Sequence, residues 1–263
     1  MNNPYIPQKK KIIDVNAQTD IDITYKVEWD IKPENGQFVQ VSIPRVGEVP
    51  ISISDFGDGY IEMTIRKVGK VTNKIYELKP GDHLFLRGPY GKGFPLEKYK
   101  GKHLIIAAGG TGLAPVKSII NHFYNNEKDI NRFDILMGFK SPKDILFGDE
   151  INLWDKKFNT ILTVDNGNET WNGNTGLITK YVDNINIGNM ADVEVVVVGP
   201  PIMMKFTVLE FLKRGVPKDK IWVSFERKMS CAIGKCGHCK IDETYVCLEG
   251  PVFNYVKAET LID

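Results

Sequence analysis

The chain has no cysteine before position 231; all four, Cys231, Cys236, Cys239 and Cys247, fall within seventeen residues near the C-terminus. A disulfide framework spread over the fold is thereby excluded. Histidine is equally scarce, and His83, His103, His122 and His238 show no metal-ligand spacing, so the first three read as structural. Net charge is nearly absent: 34 Lys and Arg against 33 Asp and Glu leave +1, which gives no electrostatic footing for nucleic acid or an anionic membrane. No apolar run approaches a membrane span, and none of signal-peptide length follows the basic stretch Lys9-Lys10-Lys11. A cytoplasmic location is expected, with those lysines at the solvated start of a first strand. There is no internal repeat or low-complexity linker, and 263 residues suffice for two domains with cores of their own.

What is present falls into two patterns that meet near residue 100. Before it, short alternating segments (Ile12 to Val15, Ile21 to Val27, Phe38 to Ile43, Tyr60 to Arg66, His83 to Arg87) are broken by turns such as Pro33-Glu34-Asn35-Gly36 and Pro80-Gly81-Asp82. Strands at this spacing predict a small antiparallel barrel. Beyond it, near-continuous apolar runs (His103 to Ala108, Phe133 to Gly138, Thr160 to Val164, Val193 to Val198, Ile221 to Ser224) alternate with helical stretches. Such runs predict a parallel sheet covered on both faces. The expected fold class is therefore a β barrel plus α/β: a barrel over 1–100, a parallel-sheet domain over 101–225 and a cysteine segment over 226–263.

Two glycine turns follow sheet strands. In Gly109-Gly110-Thr111-Gly112-Leu113-Ala114-Pro115 the absence of Cβ atoms lets backbone approach a pyrophosphate, and a helix opened near Pro115 presents unsatisfied N–H groups and a positive dipole end. The full G-x-G-x-x-G fingerprint is missing, and a turn serving only helix packing is the competing reading. The second turn, Gly199-Pro200-Pro201-Ile202-Met203-Met204, would share the same carboxyl rim of the sheet. Alternatively it is a stop signal followed by core-filling methionines.

The cysteine spacing is C-x4-C-x2-C-x7-C, and its first three positions match the loop of plant-type [2Fe-2S] ferredoxins. Two irons with bridging sulfides need four thiolates in a small volume, and Ala232, Gly234 and Gly237 let a loop wrap that closely and turn N–H groups toward sulfur. A structural zinc site, with His238 as a possible recruit, and redox or disulfide thiols stand beside this reading, although the gap between Cys239 and Cys247 breaks the usual zinc pattern.

Barrel, two glycine turns and cysteine loop, in this order and over essentially the whole chain, resemble the ferredoxin-NADP reductase superfamily. The resemblance is to its iron-sulfur flavoprotein branch, which includes the electron-transfer subunit of dihydroorotate dehydrogenase. It implies FAD on the barrel, a nicotinamide nucleotide at Gly109, Gly110, Thr111 and Gly112 with Gly199 and Pro200, and a [2Fe-2S] cluster on Cys231, Cys236, Cys239 and Cys247. The family's Arg-Pro-x-Ser aligns with Val49-Pro50-Ile51-Ser52, so Pro50, Ile51 and Ser52 are expected at the flavin while Val49 replaces the arginine that grips the pyrophosphate. Arg66, in Ile65-Arg66-Lys67, is expected to compensate. Gly69, Val71 and Thr72, in Val68-Gly69-Lys70-Val71-Thr72, resemble the family's turn where backbone N–H groups and a hydroxyl meet the diphosphate; Gly88 to Pro95 resembles its glycine-rich loop near the flavin.

The implied activity is an NADH-dependent oxidoreductase relay with no side-chain acid or base: hydride to flavin, single electrons to the cluster, then to another protein. No carboxylate ends the strand before Phe139 to Phe147 to claim a ribose hydroxyl, and Lys140 and Lys143 keep NADPH as the alternative to NADH. Glu226-Arg227 is a candidate neighbour of the nicotinamide or a surface ion pair. Asp165 to Trp171 superficially suggests a calcium loop but lacks the EF-hand setting. The resemblance implies partner subunits of a multisubunit reductase, sulfite-reducing and iron-sulfur, a leaning carried by Val49 to Ser52 without arginine and by Asp165-Asn166-Gly167 leading to Trp171-Asn172-Gly173-Asn174. Partners of the dihydroorotate dehydrogenase, sulfhydrogenase or transhydrogenase kind are alternatives, and a zinc or nucleotide sensor without enzymatic activity is the other class.

Overall fold

The computed structural model describes residue 3 and residues 5–261; residues 1, 2, 4, 262 and 263, at the ends of the first and last expected segments, lie outside the described residues. The chain divides into two units: residues up to 93 together with 226–252, and residues 94–225 together with the stretch from 253. The C-terminal segment is thus shared between the units.

Six strands of the first unit, β1 (Gln8–Ala17), β2 (Asp22–Glu28), β3 (Phe38–Ile43), β4 (Gly47–Gly57), β5 (Tyr60–Arg66) and β6 (His83–Tyr90), close a barrel in the order β1-β2-β5-β4-β3-β6. Every neighbouring pair is antiparallel. Alternation does what the sequence predicts: Tyr25, Val27, Ile61, Met63 and Ile65 point inward with Val39, Val41, Leu84 and Leu86. Between β5 and β6 a short helix, α1 (Lys70–Ile75), adds Ile75 to this core, and the buried Tyr25 hydroxyl donates to the Ile75 carbonyl (2.8 Å).

The second unit carries a seven-stranded sheet. Its helices are α2 (Leu96–Tyr99), α3 (Ala114–Asn125), α4 (Gly148–Trp154) and α5 (Pro201–Lys213). Its strands are β7 (His103–Gly109), β8 (Arg132–Phe139), β9 (Asn159–Val164), β10 (Asn174–Thr175), β11 (Val193–Val198) and β12 (Ile221–Ser224). A two-stranded ribbon, β13 (Lys240–Ile241) with β14 (Thr244–Tyr245), lies in the C-terminal segment, as do helices α6 (Val246–Glu249) and α7 (Tyr255–Ala258) and the strand β15 (Val252–Asn254). The sheet order is β10-β9-β8-β7-β11-β12-β15, and the pairs from β10 to β12 are parallel. All residues of β7 and β11 are buried, as strands covered on both faces must be. The strand order reverses between β7 and β11, which makes their carboxyl ends a switch point where open α/β sheets receive ligands.

Among the described residues no helix is long and apolar enough to cross a membrane.

Candidate cofactor sites

On the barrel, β4 supplies the first group of expected flavin residues. Val49 and Ile51 pack on the barrel core, so by alternation Glu48, Pro50 and Ser52 share the opposite face. A valine at 49 therefore extends the apolar interior. On β5, Ile65 is buried in the core, while Arg66 makes a two-pronged pair with the fully buried Asp22, Nε to Oδ1 and Nη2 to Oδ2 both 2.9 Å. The Lys67 ammonium lies 4.7 Å from the Tyr76 ring centre. At the head of α1, the Thr72 hydroxyl accepts from the N–H groups of Val68 (3.0 Å) and Gly69 (2.9 Å), so it fixes the turn itself. Val71 packs on the barrel core, whereas a Cβ on Gly69 would meet nothing within 4 Å, leaving open space above that turn. Extended backbone at Gly69, a helix start and open space around it suit a diphosphate, so the residues present fit FAD there.

The cysteine loop belongs to the same unit as the barrel. Ala232, Gly234 and Gly237 all take left-handed backbone (φ 61°, 68° and 80°), which curls the chain and turns amides inward. The Gly234 N–H donates to Cys247 Sγ (3.2 Å), and those of Lys235 (3.3 Å) and Cys236 (3.4 Å) to Cys231 Sγ. Cys236 lies in interaction range of Cys231, and Cys247 in that of both Cys239 and Cys231. Cys236, the exposed member, is drawn down to about 7 by backbone hydrogen bonding at His238 and at Cys231. Burial pushes the Cys247 thiol up to about 12, with Cys239 as a further cause. Among the described residues no group of three or more His, Cys, Asp or Glu converges on one cation position. Four thiols served by amide donors suit an iron-sulfur cluster, because the N–H groups are placed to stabilise thiolate charge.

Behind this loop stands a group that sequence reasoning missed. Arg87 of β6 is buried. Its Nη1 donates to the carbonyl of Cys231 (2.7 Å) and its Nη2 to that of Ser230 (2.6 Å). The same guanidinium pairs with Glu48 of β4, Nε lying 3.0 Å from Oε2, and reaches the Tyr90 hydroxyl (3.3 Å). Burial alone would raise the Glu48 carboxyl, but Arg87 and the Ser42 hydroxyl (2.7 Å) outweigh it and hold the group below the usual carboxylate range. Gln40 of β3 adds a hydrogen bond to the Met229 carbonyl (3.0 Å). These partners stand 143, 144 and 189 residues apart in the chain, so no local pattern announces them.

In the second unit the two glycine turns meet. A Cβ on Gly112 would lie 2.5 Å from the Val198 carbonyl oxygen and 2.7 Å from Gly199 Cα, so the turns touch backbone to backbone. Gly110 has φ 54° with nothing around its Cβ position, and Gly109, at the head of a 3₁₀ turn over Gly110–Leu113, offers no side-chain cap. That turn, closed by the Ala114 N–H on the Thr111 carbonyl, delays α3 to Ala114, just ahead of Pro115. Helix α5 likewise starts without a side-chain cap after Gly199-Pro200, and Met203 packs beside Gly109 and Gly199. Both uncapped turns sit at the carboxyl ends of β7 and β11, an arrangement that can take phosphate groups. Lys140 and Lys143 are exposed beyond β8, and Asp165 opens an ordinary loop in which the Trp171 indole donates to the Asn174 carbonyl (2.9 Å). At the opposite ends of the strands the buried His103 pairs with Asp134 and so is structural.

Comparison with known proteins matches three stretches of the chain. Residues 25–94 match the oxidoreductase FAD-binding domain, 106–208 the oxidoreductase NAD-binding domain and 226–258 the iron-sulfur cluster binding domain of dihydroorotate dehydrogenase B. The gamma subunit of sulfhydrogenase 1 from Pyrococcus furiosus is 35% identical, over 97% of this chain and 92% of its own length. The probable electron transfer subunit of dihydroorotate dehydrogenase B from Methanothermobacter thermautotrophicus is 34% identical, over 96% and 90%. Among solved structures, an NADH-dependent reduced ferredoxin-NADP oxidoreductase superposes with a TM-score of 0.78 at 22% identity, covering 96% of this chain and 92% of that one, a likeness of fold.

Proposed function

Since the chain belongs to the family of FAD- and NAD-binding electron-transfer subunits with a dihydroorotate dehydrogenase B-type iron-sulfur domain, we propose that it takes hydride from a nicotinamide nucleotide and delivers single electrons to a partner subunit. The observation that carries this reading is the cysteine loop, with amide donors aimed at the sulfurs of Cys231 and Cys247, on the same unit as the barrel. When bound, FAD and the cluster supply the conversion of a two-electron donor into single electrons. The chain's own residues bind and orient. Gly109, Gly110, Thr111 and Gly112 with Gly199 and Pro200 receive the nucleotide phosphates; Pro50, Ile51, Ser52, Ile65, Arg66, Lys67, Gly69, Val71 and Thr72 form the flavin side of the barrel. Cys231, Cys236, Cys239 and Cys247 hold a cluster of the [2Fe-2S] type, and no side chain acts as a general acid or base. NADH is taken as the donor on the family resemblance, and NADPH is the alternative that the exposed Lys140 and Lys143 would serve.

For the acceptor we take a sulfite-reducing subunit, on Val49-Pro50-Ile51-Ser52 without arginine and the Asp165 to Asn174 loop. A sulfhydrogenase-type partner is the second reading, favoured by 35% identity to two gamma subunits of that kind in Pyrococcus furiosus. The isolated chain is expected to pass electrons from NADH to an artificial dye without reducing sulfite. The complex copurified with its partner subunits is expected to couple NADH oxidation to sulfite loss. Hydrogen uptake by that complex selects the second reading, and sulfite reduction by the single chain contradicts the delivery role.

A further inference from the structure

The geometry assigns to Arg87 a positioning role: from the barrel wall it holds the backbone of the first cluster ligand, Cys231, and with Glu48 sets the charge that the cluster experiences. This inference rests on the cluster assignment above. Arginine offers five N–H donors in a rigid fork, and here that fork spans two strands and a loop. Nε and Nη2 donate to Glu48 of β4, while Nη1 also donates to the Cys231 carbonyl and Nη2 to that of Ser230. The contact is desolvated, since the Arg87 side chain is only 7% exposed, and the interaction is correspondingly little screened by solvent. Glu48 stands two residues before Pro50 on the strand assigned to flavin, and Arg87 one residue before Gly88 of the glycine-rich loop. One ion pair, buried at its arginine end, thus ties the flavin strand and the cluster loop together.

Charge gives the assignment a sign. Reduction adds an electron to the cluster, so a nearby guanidinium favours the reduced state and a nearby carboxylate opposes it. The test uses the full chain with its cofactors, measuring flavin content, iron content and the cluster's midpoint potential by EPR-monitored titration. Arg87→Met is expected to keep flavin and to lose iron or shift the reduced-to-oxidised ratio at least tenfold toward the oxidised cluster, about 59 mV downward for a one-electron couple. Glu48→Gln is expected to move the potential upward. Arg87→Lys keeps the charge without the fork, and is expected to give a smaller downward shift with a broadened cluster signal; it supplies the potential if Arg87→Met holds no iron. Variants with full iron, parental potential and parental line shape overturn the assignment. So does loss of flavin together with the cluster in both Arg87 variants, which would place the residue in barrel folding. If the parent chain itself holds no iron, the cluster assignment falls first, and this inference with it.

Discussion

Single residues decide whether the nucleotide and cluster sites are open. At Gly112 a methyl group would run into the backbone of Val198 and Gly199, and backbone cannot swing aside. Gly112→Ala is expected to wedge the two glycine turns apart and weaken NADH binding about tenfold, roughly 1.4 kcal/mol, while flavin and iron contents stay at parental levels. A titration of nucleotide-induced change in flavin absorbance reads this, and unchanged affinity would show that the turns do not form the site. Gly234 differs in kind. Its Cβ would meet Leu248 Cδ1 at 2.1 Å, but that side chain is half-exposed and has room to rotate, so its glycine is required chiefly by φ 68°. Legibility also varies residue by residue. The cysteines were readable as a candidate cluster site because all four lie close in sequence. Arg87, Glu48 and Gln40 were not, because a buried side chain that meets a carbonyl more than 140 positions away leaves no spacing to read. Arg66 was legible as a flavin candidate, yet its tight pairing with Asp22 depends on the register that sets Asp22 opposite it across β2 and β5.

At the scale of elements, periodicity was the reliable signal. The predicted runs Phe38 to Ile43, Tyr60 to Arg66, Val193 to Val198 and Ile221 to Ser224 are the observed strands β3, β5, β11 and β12, because alternation and continuous apolar runs are direct consequences of one or two buried faces. Strand β4 was visible only through its Pro-x-Ser motif. It is half-buried along most of its length, carries Pro50, and shifts register between Ile53 and Asp55, so its pattern is neither alternating nor continuous. The amino ends of the sheet strands show what holds the second unit together. Burial alone would raise the Asp134 carboxyl, but His103, Arg132 (3.0 Å) and Asn159 outweigh it and hold the group below its ordinary value. A depressed carboxylate contributes stability that is present above its unfolded value, near 3.9, and is lost as pH falls through the folded one. Asp134→Asn is therefore expected to cost about 2 kcal/mol at neutral pH and to flatten the acid limb of the melting temperature below about pH 4. An acid limb as steep as the parent's would assign that limb to other groups.

Across the whole molecule, two units carry three cofactor-binding stretches in the order barrel, sheet, cysteine loop, and the chain returns to the first unit to place its cysteines. On the proposed assignment, that return keeps the flavin strand and the cluster loop on one scaffold, with Arg87 as the clasp, while the nucleotide turns belong to the other unit. The most direct test of the relay is an anaerobic titration of the full chain with NADH, following visible absorbance and EPR together with iron, zinc and flavin analysis. The account predicts flavin bands and broad iron-sulfur absorbance that both bleach, with the paramagnetic signal of a one-electron-reduced cluster appearing as they do. A colourless chain holding zinc without iron or flavin, or a flavin that bleaches while the cluster stays oxidised, would contradict it.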